Sequence, residues 1–127
     1  VVNLASRLEG LTKYFGVPIL VNQQFRDGLP PELLCRYAGR VRPAGLSEVH
    51  DIHELVAPKE DGGSGLSVDV AGSLDEAVRT LVAGSLSHVH SAFSGSDDPV
   101  CAFLMSELQR METSGTQWTG VIEFSKK

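Results

Sequence analysis

Apolar residues recur at helical spacing near the start of the chain. Leu4, Leu8, Leu11 and Phe15 fall on one face of a 3.6-residue repeat. Gly16 follows the last of them, and glycine commonly ends a helix because it accepts a left-handed backbone conformation. The pattern therefore predicts an amphipathic helix that ends at Gly16.

Short apolar runs separated by turn residues come next. Residues 17–21 form an apolar run typical of a strand, and Asn22 is placed to cap a short helix after it. Residues 34–41 and 48–56 have the composition of two further strands. The sequence between them contains Pro43-Ala44-Gly45, which is typical of a turn, so an antiparallel β-hairpin is predicted.

The pattern changes after this hairpin. Residues 58–65 are polar and glycine-rich, as in a flexible connector. Beyond them, Ser73 and Glu76 have the spacing of a capping box, which predicts the start of a helix that extends to about residue 90 or 93. We therefore expect a linker over residues 58–72.

A second helix is predicted in the C-terminal part. Asp98 and Pro99 are typical of a helix start, and Gly115 is placed to close the helix. Its apolar stripe consists of Val100, Phe103, Leu104, Leu108 and Met111. Residues 116–124 could form a last extended segment. Two capped helices with a short connection predict a helical hairpin over residues 73–127.

Composition places limits on what the chain can be. It has 127 residues, enough for one domain with a substantial core, and a formal charge of −5. This acidic balance argues against general nucleic-acid binding. No apolar run approaches the roughly 20 residues that a membrane-spanning helix needs. Cys35 and Cys101 are expected to be free thiols. Because the first residue is not Met and lies inside a predicted helix, we expect a piece of a longer polypeptide.

Asn3 and Arg7 form the most informative pair of polar residues. They are four positions apart, so a helix places them one turn apart on the same face. The amide can bond a sugar oxygen, and the guanidinium matches phosphate oxygens. The residues alone leave a plainer alternative open, in which Asn3 caps the helix and Arg7 is solvated.

Residues 2–7, V-N-L-A-S-R, resemble the transition-state helix of the class III adenylyl/guanylyl cyclase catalytic domain, whose signature is V-N-x-A-S-R. Residues 14–21 are similar to the passage of that family in which a glycine separates the helix from a strand. Residues 37–42 and 48–55 resemble its closing hairpin. Residues 97–99, 108–110 and 118–121 are similar to a helical, repeat-like extension of soluble cyclases.

This resemblance implies a fold and a division of the chain. The expected fold is α+β: the C-terminal part of a ferredoxin-like cyclase domain (helix, strand, short helix, β-hairpin) over residues 1–57, followed by the linker and the helical-hairpin tail. The expected location is cytoplasmic. The expected partner is a second cyclase domain, in a homodimer or a pseudo-heterodimer, because sites of this family lie across a dimer interface.

The resemblance also implies an activity, the conversion of ATP or GTP to a 3′,5′-cyclic monophosphate and pyrophosphate. Arg7 would stabilise the charge that develops on the α-phosphoryl group, and Asn3 would orient the ribose. The family uses Mg²⁺ or Mn²⁺, whose aspartate ligands lie upstream of the signature helix. None of the aspartates in residues 1–127 matches them, so this chain is expected to be inactive by itself.

One departure concerns the hairpin turn. The family often has a Lys-Gly pair there, and that Lys binds the triphosphate, whereas this chain has Ala44 followed by Gly45. Arg40 or Arg42 could compensate, and we predict Arg42 as the phosphate-binding residue. The departure also favours an alternative, a degenerate cyclase-like homologue that dimerises or regulates without catalysis. A further alternative is a plain interaction module formed by the helical hairpin.

The histidines are weaker candidates. His50 and His53 are three residues apart on a predicted strand, and therefore on opposite faces of it. We predict that they are solvated or core residues rather than metal ligands.

Overall fold

The first helix, α1, spans Leu4–Phe15, as the apolar period predicts. The structure, a computed structural model, describes residues 4–58, 60, 65–84, 93 and 97–124. Asn3 therefore lies outside the described residues, and so do the histidines at 88 and 90. Gly16 has φ +72°, and both its N–H and that of Val17 donate to the carbonyl of Thr12. This left-handed ending confirms the predicted stop.

Strand β1 covers Leu20–Asn22 and helix α2 covers Gln23–Asp27. The strand begins three residues later than predicted, because Val17 still belongs to the ending of α1. The Asn22 side chain accepts a hydrogen bond from the Phe25 N–H at 2.7 Å, so the predicted cap of α2 is confirmed.

The predicted hairpin is present. Strands β2, Cys35–Arg42, and β3, His50–Leu55, are antiparallel, with an irregularity in register between Tyr37 and Gly39. Strand β4, Val121–Glu123, lies parallel to β2. The sheet has four strands in the order β1-β3-β2-β4, and its single parallel pair makes it mixed. The fold is thus α+β.

Helix α3 spans Val68–Val82, and both predicted ends are wrong. Ser67, rather than Ser73, caps it by accepting from the Val70 N–H at 3.2 Å, so the last five residues of the predicted linker over 58–72 are helical. The earlier start lets Ala71 be fully buried. The helix ends at Val82 because Gly84 has φ +91°, so it does not continue to residue 90 or 93.

Helix α4 spans Pro99–Ser114 and has the predicted caps. Asp98 accepts from the Cys101 N–H at 3.0 Å, and Gly115 has φ +77°. Helix α3 packs mainly against β2, and α4 packs against α1. The helical hairpin over residues 73–127 stays a prediction. The boundary at residue 57 stays a prediction, although residues on both sides of it share one core.

The core joins the two parts of the chain through apolar side chains of the sheet and the helices. Its members include Leu8, Leu11, Phe15, Val41, Ile52, Val78, Leu81, Leu104, Leu108 and Ile122. Trp118 anchors the C-terminal segment, since its indole N–H donates to the Leu81 carbonyl at 2.8 Å. Among the residues that the structure describes, no helix is long and apolar enough to cross a bilayer.

Candidate functional site

Arg7 lies on the side of α1 that meets the hairpin turn. Its side chain is half-buried, and its guanidinium rests against Gly45. A Cβ atom placed on Gly45 would lie 3.0 Å from Nη2 and 3.6 Å from Cζ of Arg7. Gly45 has φ +81°, a conformation that strongly favours glycine. A glycine at this position therefore allows both the turn geometry and the close approach of the arginine.

A cleft of about 180 Å³ opens between this side of α1 and the turn. It is lined by Ser6, Arg7, Gly10, Leu11, Lys13, Tyr14, Pro43 and Ala44. Two of these residues are cations, and none of the described residues that line the cleft is acidic. Gly10 adds room, because no atom lies within 4 Å of where its Cβ would be. Two cations that line a concave site favour an anionic ligand. We call this site the Arg7 cleft.

The predicted site residues do not all lie in the Arg7 cleft. Arg7 and Ala44 line the same cleft, and Ala44 is only 7% exposed. Arg42 does not line the cleft, because its guanidinium forms an ion pair with Glu123 of β4. Arg40 is paired with Asp51 at 3.0 Å, so neither predicted substitute for the turn lysine faces the cleft. Whether Arg42 binds phosphate stays a prediction.

Lys13 is the cleft residue that sequence reasoning missed. It is exposed, and its ammonium lies 5.2 Å from the centroid of the Tyr14 ring. A signal was present in the sequence, because residues 7, 10 and 14 fall within about 60° of one another on a helix with 3.6 residues per turn, and residue 13 lies about 60° beyond residue 10. The polar side of the helix therefore carries one cation on each side of a glycine, and Arg7 is the cation that borders the apolar face.

A buried ion network lies elsewhere, between the sheet and the start of α4. Arg36 is fully buried, and its two terminal nitrogens bond the two Asp98 oxygens at 2.9 and 2.8 Å. It also bonds Glu54 at 3.1 Å. Burial alone would raise the pKa of Asp98, but the Arg36 guanidinium more than offsets this, so the pKa lies below its usual value. We call this network the Arg36 clasp.

His53 is a core residue, in line with the prediction. It is 1% exposed, and its Nε2 lies 2.6 Å from the Gln23 side-chain oxygen. Burial, and then the positive charges of Arg79 and Arg26, lower its pKa to about 4. The imidazole is therefore neutral near pH 7, and its low basicity makes it a poor general base.

No metal site is formed by the described part of the chain, in which no three His, Cys, Asp or Glu side chains are grouped to hold an ion. Cys35 and Cys101 are both free. Burial, followed by the charge of Asp98, raises the pKa of Cys101 to about 12, so this thiol is not a nucleophile at neutral pH.

Comparisons of the chain with protein-family models, with curated proteins and with solved structures found no match.

Proposed function

We propose that this chain is part of a nucleotidyl cyclase that converts ATP or GTP to the 3′,5′-cyclic monophosphate and pyrophosphate. One observation carries the proposal beyond the sequence resemblance. The guanidinium of Arg7 lies against the hairpin turn, in a cleft lined by cations and without a carboxylate among its described residues. A phosphate group would find charge and hydrogen-bond donors there.

The chemistry assigned to this chain is stabilisation of phosphoryl charge. The ribose 3′-oxygen loses its proton and forms a bond to the α-phosphorus, while the bond from that phosphorus to the β-phosphate oxygen breaks and pyrophosphate leaves. Negative charge grows on the α-phosphoryl oxygens during this exchange. The fixed guanidinium fork of Arg7 is suited to stabilise it. Asn3 would orient the ribose.

The cleft is smaller than a complete nucleotide site. Its volume is about 180 Å³, whereas small-molecule pockets usually enclose roughly 300–1,000 Å³. It therefore suits a phosphate group rather than a whole nucleotide, which supports a site completed by a second cyclase domain. Divalent cations would activate the hydroxyl and hold the triphosphate. Because the described residues contain no group of side chains that fits such an ion, its ligands are proposed to lie upstream.

The test compares two arginine variants in a catalytically complete cyclase that contains this chain. Arg7→Ala should lower kcat about 10²–10³-fold and change KM much less, because the lost contact is strongest in the transition state. Arg110→Ala is the matched control, since Arg110 is an exposed helix residue paired only locally with Glu107. A near-normal kcat for Arg7→Ala would refute the proposal. Cyclic product made by the chain alone at the rate of a complete cyclase would also refute it.

The second candidate is a cyclase-like homologue that dimerises or regulates without catalysis. The observation in its favour is the turn, where Ala44 brings no charge to the cleft and both neighbouring arginines are paired elsewhere. A complete polypeptide that forms dimers in sedimentation experiments, but makes no cyclic product with ATP or GTP and either metal, would favour this candidate over the enzyme.

A further inference from the structure

We infer that Lys13 is the second phosphate-binding cation of the Arg7 cleft and that the ligand of the cleft is a diphosphate group. This inference rests on the proposed function only for the assignment of that diphosphate to a nucleotide. The second cation then lies on α1, and not on the hairpin turn, where the cyclase family often has a lysine.

The positions of the two cations suit one extended anion. Arg7 and Lys13 both line the cleft and are separated by six residues, which is about 9 Å along a helix axis and about 120° around it. Gly10 lies between them and leaves the middle of the cleft open. Two long side chains can therefore approach a diphosphate from its two ends. The arginine would supply a planar fork of donors, and the lysine a compact charge.

The Lys13 ammonium is positioned by its neighbours. It lies 5.2 Å from the centroid of the Tyr14 ring, within the range of a cation–π contact. The Tyr14 ring packs in turn against Phe124, with the ring centroids 5.3 Å apart. The Phe124 N–H donates to the carbonyl of Arg42 at 3.1 Å, directly before the turn. Phe124, the residue after β4, thus contacts both Tyr14 of α1 and the end of the strand that leads into the turn.

The lining of the cleft favours a multiply charged ligand. Lys13 and Arg7 bring two positive charges, and the described lining residues bring no negative one. Ala44 is buried at the turn and adds only a methyl group. An anion with a single charge would leave one of the cations without a partner. A diphosphate matches both of them.

The experiment titrates the chain with inorganic pyrophosphate in a calorimeter and compares three variants with the wild type. Lys13→Gln removes the charge, Lys13→Arg retains it, and Arg110→Gln is the control for loss of an exposed helix cation. We expect Lys13→Gln to weaken binding about tenfold, equivalent to about 1.4 kcal/mol. Lys13→Arg should bind within about threefold of the wild type, and Arg110→Gln within about twofold. Far-ultraviolet circular dichroism verifies that each variant is folded.

The salt dependence gives a second readout. Binding should weaken as salt rises, and less steeply for Lys13→Gln, since that variant makes one fewer charge contact. The inference is overturned if the wild type does not bind pyrophosphate, or if Lys13→Gln and Arg110→Gln bind equally well. These results are independent of turnover. Lys13-dependent pyrophosphate binding combined with a near-normal kcat for Arg7→Ala would retain the inference and refute the cyclase proposal.

Discussion

Replacing Arg36 by methionine should destabilise the protein severely, because it opens the Arg36 clasp. Arg36 is fully buried and makes three bonds of 2.8–3.1 Å to Asp98 and Glu54. The variant keeps a side chain of similar length but leaves both carboxylates without the guanidinium. Glu54 is fully buried and Asp98 is 7% exposed, so water replaces the lost bonds poorly.

The size of the effect follows from burial. Removing one partner of a buried ion network typically costs about 3–5 kcal/mol. The entropy of unfolding is about 2.1 cal/mol/K per residue, or about 0.27 kcal/mol/K for a chain of 127 residues. The melting temperature should therefore fall by about 11–19 °C. This loss is a large fraction of the total free energy of unfolding, about 5–15 kcal/mol for a typical domain.

Urea denaturation and differential scanning calorimetry measure the change, with two comparison variants. Arg110→Met removes an exposed cation whose local pair with Glu107 is worth at most about 0.5 kcal/mol. The triple variant Arg36→Met/Glu54→Gln/Asp98→Asn removes the charges of all three partners, and it should be more stable than Arg36→Met alone. If Arg36→Met costs no more than Arg110→Met, the clasp does not hold α4 to the sheet and the reasoning is refuted.

His53, Ala44 and Gly120 each allow a test at a single position. The pKa of His53 is lowered to about 4, so the free energy of unfolding of the wild type should fall by up to about 3 kcal/mol between pH 6.5 and pH 4, because only the unfolded chain takes up the proton in this range. His53→Gln should lose this part of the pH dependence in urea denaturation, and an unchanged pH dependence would contradict the prediction. Ala44→Lys should tighten pyrophosphate binding in calorimetric titration about 3–10-fold, and less at high salt, because the new charge enters the cleft; unchanged affinity would show that the turn does not contact the ligand. Gly120→Ala should lower the free energy of unfolding, measured in urea, more than Gly115→Ala does. Both glycines have positive φ, but only at Gly120 would the added Cβ meet a backbone oxygen, that of Val82 at 2.4 Å, so equal losses would contradict the steric argument.

Local signals in the sequence were enough for the first helix and for most caps. The period of Leu4, Leu8, Leu11 and Phe15 predicts α1, and Asn22 and Asp98 are caps as expected. These features depend on residues three or four positions apart, so the chain does not need its tertiary fold to reveal them. The spacing of Asn3 and Arg7 made Arg7 a candidate, and the resemblance to the cyclase hairpin turn drew attention to Ala44.

The start of α3 shows where local signals become ambiguous. Ser67 and Ser73 can each cap a helix, and the sequence offers no local reason to prefer Ser67. The sheet resolves the choice, because only the earlier start places Ala71 within the helix, where it is fully buried. Asp75 of the longer helix accepts a hydrogen bond from the Tyr37 N–H of β2. This bond satisfies a backbone donor that β4 does not reach, because β4 pairs with residues 40–42 of β2.

The residues of α1 that carry charge can be read directly from the chain, but packing of α1 against the rest of the fold selects those that form a site. Arg7 and the turn at Gly45 are far apart in the chain and meet only because α1 packs beside the hairpin. Arg42 has the charge expected of a phosphate ligand, yet the parallel pairing of β4 with β2 brings Glu123 to it. Arg36 and Asp98 are 62 residues apart. Contacts over such distances have no periodic or capping signature, since folding alone brings the partners together.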